Sequence, residues 1–111
     1  MEVSVKCEAR HICIRLSGEL DHHSAKGLLR RLDQEIEKAL PTQLTLDLSG
    51  VTFMDSSGIG VLLNRYKQMK AGHTSFYGAC PQVMRVLKVA GILGLMHQYE
   101  SKEEAIYSRE V

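Results

Sequence analysis

The sequence predicts an α/β fold: a mixed, mostly parallel sheet of four to five strands, with helices mainly on one face. Three observations carry that expectation. Stretches of period two alternate along the chain with stretches of helical period. The first two strands are separated only by "EAR", whereas every later strand follows a helix, as parallel strands joined by crossovers require. The strands also alternate apolar with polar residues, whereas a parallel sheet covered on both faces has continuous apolar strands. One face is therefore expected to lie under helices and the other to be largely wet.

Each element has its own signal. "VSVKC" places Val3, Val5 and Cys7 on one side, and "HICIRLSG" does the same with Ile12, Ile14 and Leu16. The short "EAR" between them suits a hairpin. After "GELD" the period changes: Ala25, Leu28, Leu29, Leu32, Ile36, Ala39 and Leu40 recur at helical spacing, opposite Lys26, Arg30, Asp33 and Lys38. Asp21 is the expected N-cap and Pro41 marks the end. "LTLDLSG" follows as a strand, with Leu44, Leu46 and Leu48 alternating with Thr45, Asp47 and Ser49. A second helix takes Ile59, Leu62, Leu63, Tyr66 and Met69 as its stripe and ends at Gly72. "TSFYGA" is a short strand. Pro81 stands at the first position of a third helix that runs to about Gly91. "LMHQYE" is a last strand, and "SKEEAIYSRE" a last helix whose Ser101 and Glu104 form a capping box. The order is β-β-α-β-α-β-α-β-α, with no internal repeat, linker or low-complexity segment.

Composition bounds the function. The chain has 111 residues, enough for one hydrophobic core, and residues 1–111 are expected to form one domain. Hydrophobic residues make up 44% and charged residues 24%, as in a soluble globular protein. A net charge of +1 points to neither nucleic acid nor an anionic membrane as a partner. No apolar run is long enough to span a bilayer, and "MEVSVKCEAR" has no signal-peptide core. Three scattered cysteines read as reduced thiols in a cytoplasmic protein, with Cys7 and Cys80 expected to be small core residues.

Ligand sites in such sheets lie beyond the carboxyl ends of the strands. Two loops reach that edge with unusual content, "GELDHHS" and "FMDSSGIG". They follow consecutive parallel strands, so Asp21, His22 and His23 are expected near Asp55, Ser56 and Ser57. Three readings compete for the two serines: a plain helix cap, a catalytic nucleophile and a modification site.

The nucleophile reading fits poorly. A hydrolase elbow reads G-x-S-x-G, but Met54 stands two before Ser56 and Asp55 two before Ser57. "SSGIGVLL" lacks both the P-loop lysine pattern and the third glycine of a dinucleotide fingerprint. No adjacent acidic pair follows either early strand, as a phosphoaspartate receiver would need. Adjacent His22 and His23 do not converge easily on one metal ion, and His11, His73 and His97 stand alone. A plain cap explains one residue, because unpaired N–H groups at a helix start attract Asp or Ser. It leaves the second serine, Gly58 and Gly60 unexplained, since glycine costs about 1 kcal/mol against alanine inside a helix. Two glycines in the first turn are expected to expose the hydroxyls to something large, such as another protein's active site.

"GELDHHSA", "VTFMDSSGIGVLLNRYK" and "MRVLKVAGI" together resemble the STAS domain family, and within it the sporulation anti-sigma-F factor antagonists. The resemblance runs through almost the whole chain. It is specific, because the D-S-[ST]-G-[LIV]-G turn and the G-E-L-D-H-H loop occur together at the family's spacing. It implies a partner switch and no enzymatic activity, metal or cofactor. Dephosphorylated, such a protein binds an anti-sigma factor that is also a serine kinase and so releases the sigma factor. The kinase then phosphorylates it, and a serine phosphatase resets it. The resemblance makes Ser56 the acceptor. It places Asp21 on the partner-binding surface, together with His22, Asp55, Ser57, Gly58 and Gly60. It also implies helices on one side of the sheet and a stand-alone monomer with no attached transporter or sensor domain. One departure is the third helix, where relatives often carry an aromatic residue and "MRVLKVAG" has none. A phosphorylation-independent interaction module, a nucleotide-binding module and a small serine hydrolase are the alternatives.

Overall fold

The computed structural model describes residues 1–69, 73–101 and 103–104. Five strands form one sheet in the order β1-β2-β3-β4-β5: β1 is Glu2–Glu8, β2 His11–Leu20, β3 Gln43–Met54, β4 Thr74–Tyr77 and β5 His97–Gln98. β1 runs antiparallel to β2, and every other neighbouring pair is parallel. The helices are α1 (His22–Ala39), α2 (Ser56–Gln68) and α3 (Pro81–Val89), with a 3-10 turn at Ile92–Gly94. From β2 onward each crossover steps one strand in the same direction. Right-handed crossovers that all step the same way put every helix on the same face.

The hairpin turns on Ala9 and Arg10, both with left-handed backbone (φ 48° and 67°), and Glu8 pairs with His11. Two consecutive left-handed residues match the twist of the flanking strands. The core is built from the predicted faces: Ile12, Ile14, Leu16, Leu44, Leu46, Leu48 and Phe76 are fully buried, under Leu28, Leu32, Leu62, Val83 and Leu87 of the helices.

Several expectations change in the structure. Leu40 is not part of the α1 stripe. It caps the helix in the left-handed region (φ 45°) and its side chain is 67% exposed. Cys7 is exposed and Cys80 only half-buried. Cys7 lies at the turn end of an edge strand, beyond Val3 and Val5, which do reach the core. Arg65, absent from the predicted α2 stripe, is 1% exposed. Its guanidinium reaches Asp33 of α1 (2.6 Å) and also bonds the Asn64 side chain, so a buried charge ties α2 to α1.

The second face of the sheet is polar, as expected, yet its centre is not wet. His11, Thr45, Asp47 and Ser75 are all buried. His11 Nε2 lies 2.7 Å from Thr45 Oγ1, which lies 3.0 Å from Ser75 Oγ, a hydrogen-bonded row across β2, β3 and β4. Hydrogen bonds between buried polar groups offset the cost of taking them from water, and these two bonds do so for Thr45, Ser75 and the Nε2 of His11. Burial also pushes the Tyr77 hydroxyl well above its usual range, helped by Cys13 and Asp47.

Gly72 and most of the last predicted helix lie outside the described residues. At that helix's start the Glu104 N–H donates to Ser101 Oγ (3.1 Å), the forward half of the capping box. The Glu104 carboxylate accepts from Glu100 N–H (2.6 Å), one residue before the box's usual donor.

Candidate functional site

The β2–β3 pair outruns the rest of the sheet. β3 meets β4 only over Leu44–Asp47, but it follows β2 as far as the Leu20–Met54 pair. Two register shifts bend the pair on the way, at Arg15/Ser17 and Gly18/Glu19. Gly50 makes the bend possible, because a Cβ there would stand 2.8 Å from the Leu16 carbonyl oxygen. The projecting pair delivers both turns of interest to the same edge. Asp21 and Asp55 each follow one member of the last strand pair, and Asp55 N–H donates to the Leu20 carbonyl (3.3 Å). The structure thus brings together the two loops that the sequence placed side by side.

Both aspartates are N-caps. Asp21 Oδ1 accepts from the N–H groups of His23 (2.9 Å) and Ser24 (3.0 Å). Ser24 Oγ completes a capping box by accepting from Asp21 N–H (3.0 Å), and it donates to the Glu19 carbonyl (2.7 Å). The Ser24 N–H foremost, then the His23 N–H and its charge, hold the Asp21 carboxyl below the usual carboxylate range against partial burial. Asp55 Oδ1 accepts from Ser57 N–H (2.8 Å) and, more weakly, from Gly58 N–H (3.4 Å). One carboxylate therefore already occupies two free amides at the start of α2.

Ser56 is the first residue of α2 and is exposed, while Ser57 is half-buried. His22 and His23 are exposed at the start of α1, with ring centroids 5.9 Å apart and edge-on. Among the described residues, no group of three or more His, Cys, Asp or Glu side chains is placed to hold a metal ion.

The two glycines have different physical roles. A Cβ on Gly58 would stand 2.6 Å from Met54 Cγ and 3.0 Å from the Leu20 carbonyl oxygen, so Gly58 lets α2 close onto the strand ends. A Cβ on Gly60 would meet nothing within 4 Å. Only Gly60 leaves open surface, so the expectation that both glycines expose the serines is corrected for Gly58.

α3 supplies a wall that sequence reasoning did not assign to the site. Ser56 and Ile59 of α2 face Arg85, Val86, Val89 and Ala90 across a groove of about 440 Å³. Val89 is 86% exposed. A second apolar stripe, Val86 and Val89, runs beside the core stripe of Val83 and Leu87, and that doubling is the signal that could have found it.

Residues 2–105 match the family model for the STAS domain. The chain is 36% identical over 102 residues to an anti-sigma F factor antagonist of Paenibacillus polymyxa, covering 90% of this chain and 87% of that protein. Among solved structures it resembles the anti-sigma factor antagonist SpoIIAA in its unphosphorylated form, with a TM-score of 0.82 and 30% identity over 99% of this chain and 98% of that one. It also resembles SpoIIAA in the phosphorylated form, with a TM-score of 0.72 and 29% identity over 96% of this chain and 98% of that one. With its sheet order, its paired N-cap turns and this match through nearly its whole length, the chain belongs to the STAS domain family.

Proposed function

We infer that this chain is an anti-sigma factor antagonist of the sporulation sigma-F type, a regulatory switch and not an enzyme. Without phosphate it binds an anti-sigma factor that is itself a serine kinase, and the sigma factor is released. With phosphate on Ser56 it lets go. The observation that carries this reading is the exposure of Ser56 directly after the capping Asp55, on a turn adjoining the Asp21 turn. A kinase needs a hydroxyl that protrudes and a surface beside it to grip. Ser56 is the first, and Asp21, His22, Asp55, Ser57, Gly58 and Gly60 lie on the two turns that form the second.

In the transfer, Ser56 Oγ attacks the γ-phosphorus of the kinase-bound ATP. The bond to the bridging oxygen breaks, ADP leaves, and a base of the kinase takes the hydroxyl proton. A serine phosphatase hydrolyses the ester and restores the hydroxyl. Phosphate brings about −1.5 to −2 charges to the turn. Facing the nucleotide and any acidic group of the kinase, that charge meets like charge, which costs several kcal/mol at an interface. The protein acts as a cytoplasmic monomer without direct contact with nucleic acid or membrane.

The test is mass spectrometry after incubation with the cognate anti-sigma kinase and ATP. The unmodified chain and Ser57→Ala gain one phosphate within residues 51–65, and Ser56→Ala gains none. Phosphate uptake by Ser56→Ala but not by Ser57→Ala moves the acceptor to Ser57. No uptake by any form, with nucleotide binding or ester cleavage by the chain alone, defeats the switch.

A further inference from the structure

We propose that Arg85 of α3 is the receptor for the phosphate on Ser56, closing an ion pair across the groove between α2 and α3. This rests on Ser56 being the acceptor. A phosphate at a helix start ordinarily draws on the free N–H groups there. Here Asp55 Oδ1 already holds the Ser57 and Gly58 amides, so a phosphate on Ser56 meets a carboxylate where it would otherwise meet donors. Repulsion from Asp55 turns it away from that carboxylate, and Ser56 also lines the groove toward α3.

Arg85 lines that same groove of about 440 Å³ with Ser56. It is exposed and makes no ion pair among the described residues. α3 carries Arg85 and Lys88 and no acidic residue, so nothing on its own helix competes for the guanidinium. A guanidinium binds phosphate through two parallel N–H···O bonds, a geometry lysine cannot match. The groove wall between them is apolar, from Ile59, Val86 and Val89, so it offers the guanidinium no competing acceptor. Paired, Arg85 and the phosphate lie over Ile59 and Val86. Phosphorylation then changes the shape and apolar character of the surface as well as its charge.

The test uses full-length protein carrying phosphoserine at position 56, installed during synthesis so that no kinase is needed. The second ionisation of the phosphate is followed by phosphorus NMR against pH. In the otherwise unmodified chain it occurs roughly half a pH unit or more below its position in Arg85→Ala, because a nearby cation favours the dianion. Arg85→Lys falls between the two. High salt narrows the gap between the unmodified chain and Arg85→Ala by screening the pair, and Arg85→Gln, which keeps a long uncharged side chain, titrates like Arg85→Ala. Identical titrations in the unmodified chain, Arg85→Ala and Arg85→Gln, or a gap that salt leaves unchanged, overturn the proposal. Neither result touches the choice of acceptor, which fails only if the kinase does not modify Ser56.

Discussion

Gly58 and Gly60 stand two residues apart in one helical turn, and replacing each with alanine has opposite consequences. In Gly58→Ala the new methyl collides with Met54 Cγ and the Leu20 carbonyl, so α2 must lift from the strand ends. Overpacking of this kind costs about 1–3 kcal/mol, which exceeds the helix-propensity gain of about 1 kcal/mol. Gly60→Ala meets nothing and keeps that gain, so its melting temperature rises. Thermal unfolding of the two variants checks the sign of each. If Gly60 lies under the bound kinase, Gly60→Ala also weakens binding while stabilising the fold, a combination that a purely structural glycine does not give. Equal destabilisation of both variants would mean that the first turn of α2 is tighter than its geometry shows. The residue scale is also where sequence reading reaches least far. Asp21 is legible as a cap, because a helical apolar period begins within a turn of it, whereas the sequence leaves the α2 cap open between Asp55 and the serines and the structure gives it to Asp55. The role of Gly58 is not legible, because the atoms it makes room for come from Leu20, nearly forty positions earlier, and from the end of β3. Arg65 is illegible for the same reason: a guanidinium in mid-helix reads as solvent-facing until Asp33 of another helix is placed against it.

At the scale of elements, periodicity carries most of the fold. β1 to β4 and the three described helices lie in the stretches that the sequence marked for them, while β5 keeps only His97–Gln98 of the expected "LMHQYE" and follows a 3-10 turn that periodicity does not show. What periodicity does not carry is the length of β3, which runs on to Met54 past Gly50 only because β2 bends with it. The start of α1 gives an element-scale prediction. Its cap depends on an ionised Asp21, whose carboxyl is held below its ordinary range chiefly by the Ser24 N–H. A folded-state pKa lowered in this way contributes stability that is complete above the unfolded value of about 3.9. That contribution is lost as pH falls through the folded value. The Asp21 side-chain carboxyl carbon and the Ser24 amide resonance therefore move together in one acid transition that lies below about 3.9. Asp21→Asn keeps an oxygen acceptor for the cap but abolishes that acid transition. With the charge gone at neutral pH, kinase affinity falls while the melting temperature barely changes. A large melting loss at unchanged affinity would confine Asp21 to a structural role.

The whole molecule is organised so that one edge can be read without disturbing the rest. Every helix lies on one face by the handedness of its crossover, the other face closes its polar groups on one another, and the α1 and α2 turns project from the end of the longest strand pair. A charge added at that edge is thus remote from the core, and Ser56→Asp tests whether charge alone works the switch. At the first position of α2 a carboxylate meets a favourable dipole, ordinarily worth about 0.3–1 kcal/mol. Asp55 has already taken two of the amides there and repels a second anion, so the two effects nearly cancel and the melting temperature stays within a few degrees. At the interface nothing cancels. With Ser56 as the proposed acceptor, the new carboxylate stands where the kinase is to bring the γ-phosphate of its nucleotide, and unpaired like charges at such a contact weaken binding. One carboxylate has about half the charge of a phosphate and lacks its tetrahedral oxygens, so the loss is partial. Titration against the anti-sigma kinase with ADP present gives an affinity for Ser56→Asp between those of the unmodified and phosphorylated chains. If Ser56→Asp binds as tightly as the unmodified chain while the phosphoprotein does not, the shape of the phosphate and its hold on Arg85 carry the switch, and charge alone does not. If the phosphoprotein also binds tightly, this chain is not switched at Ser56.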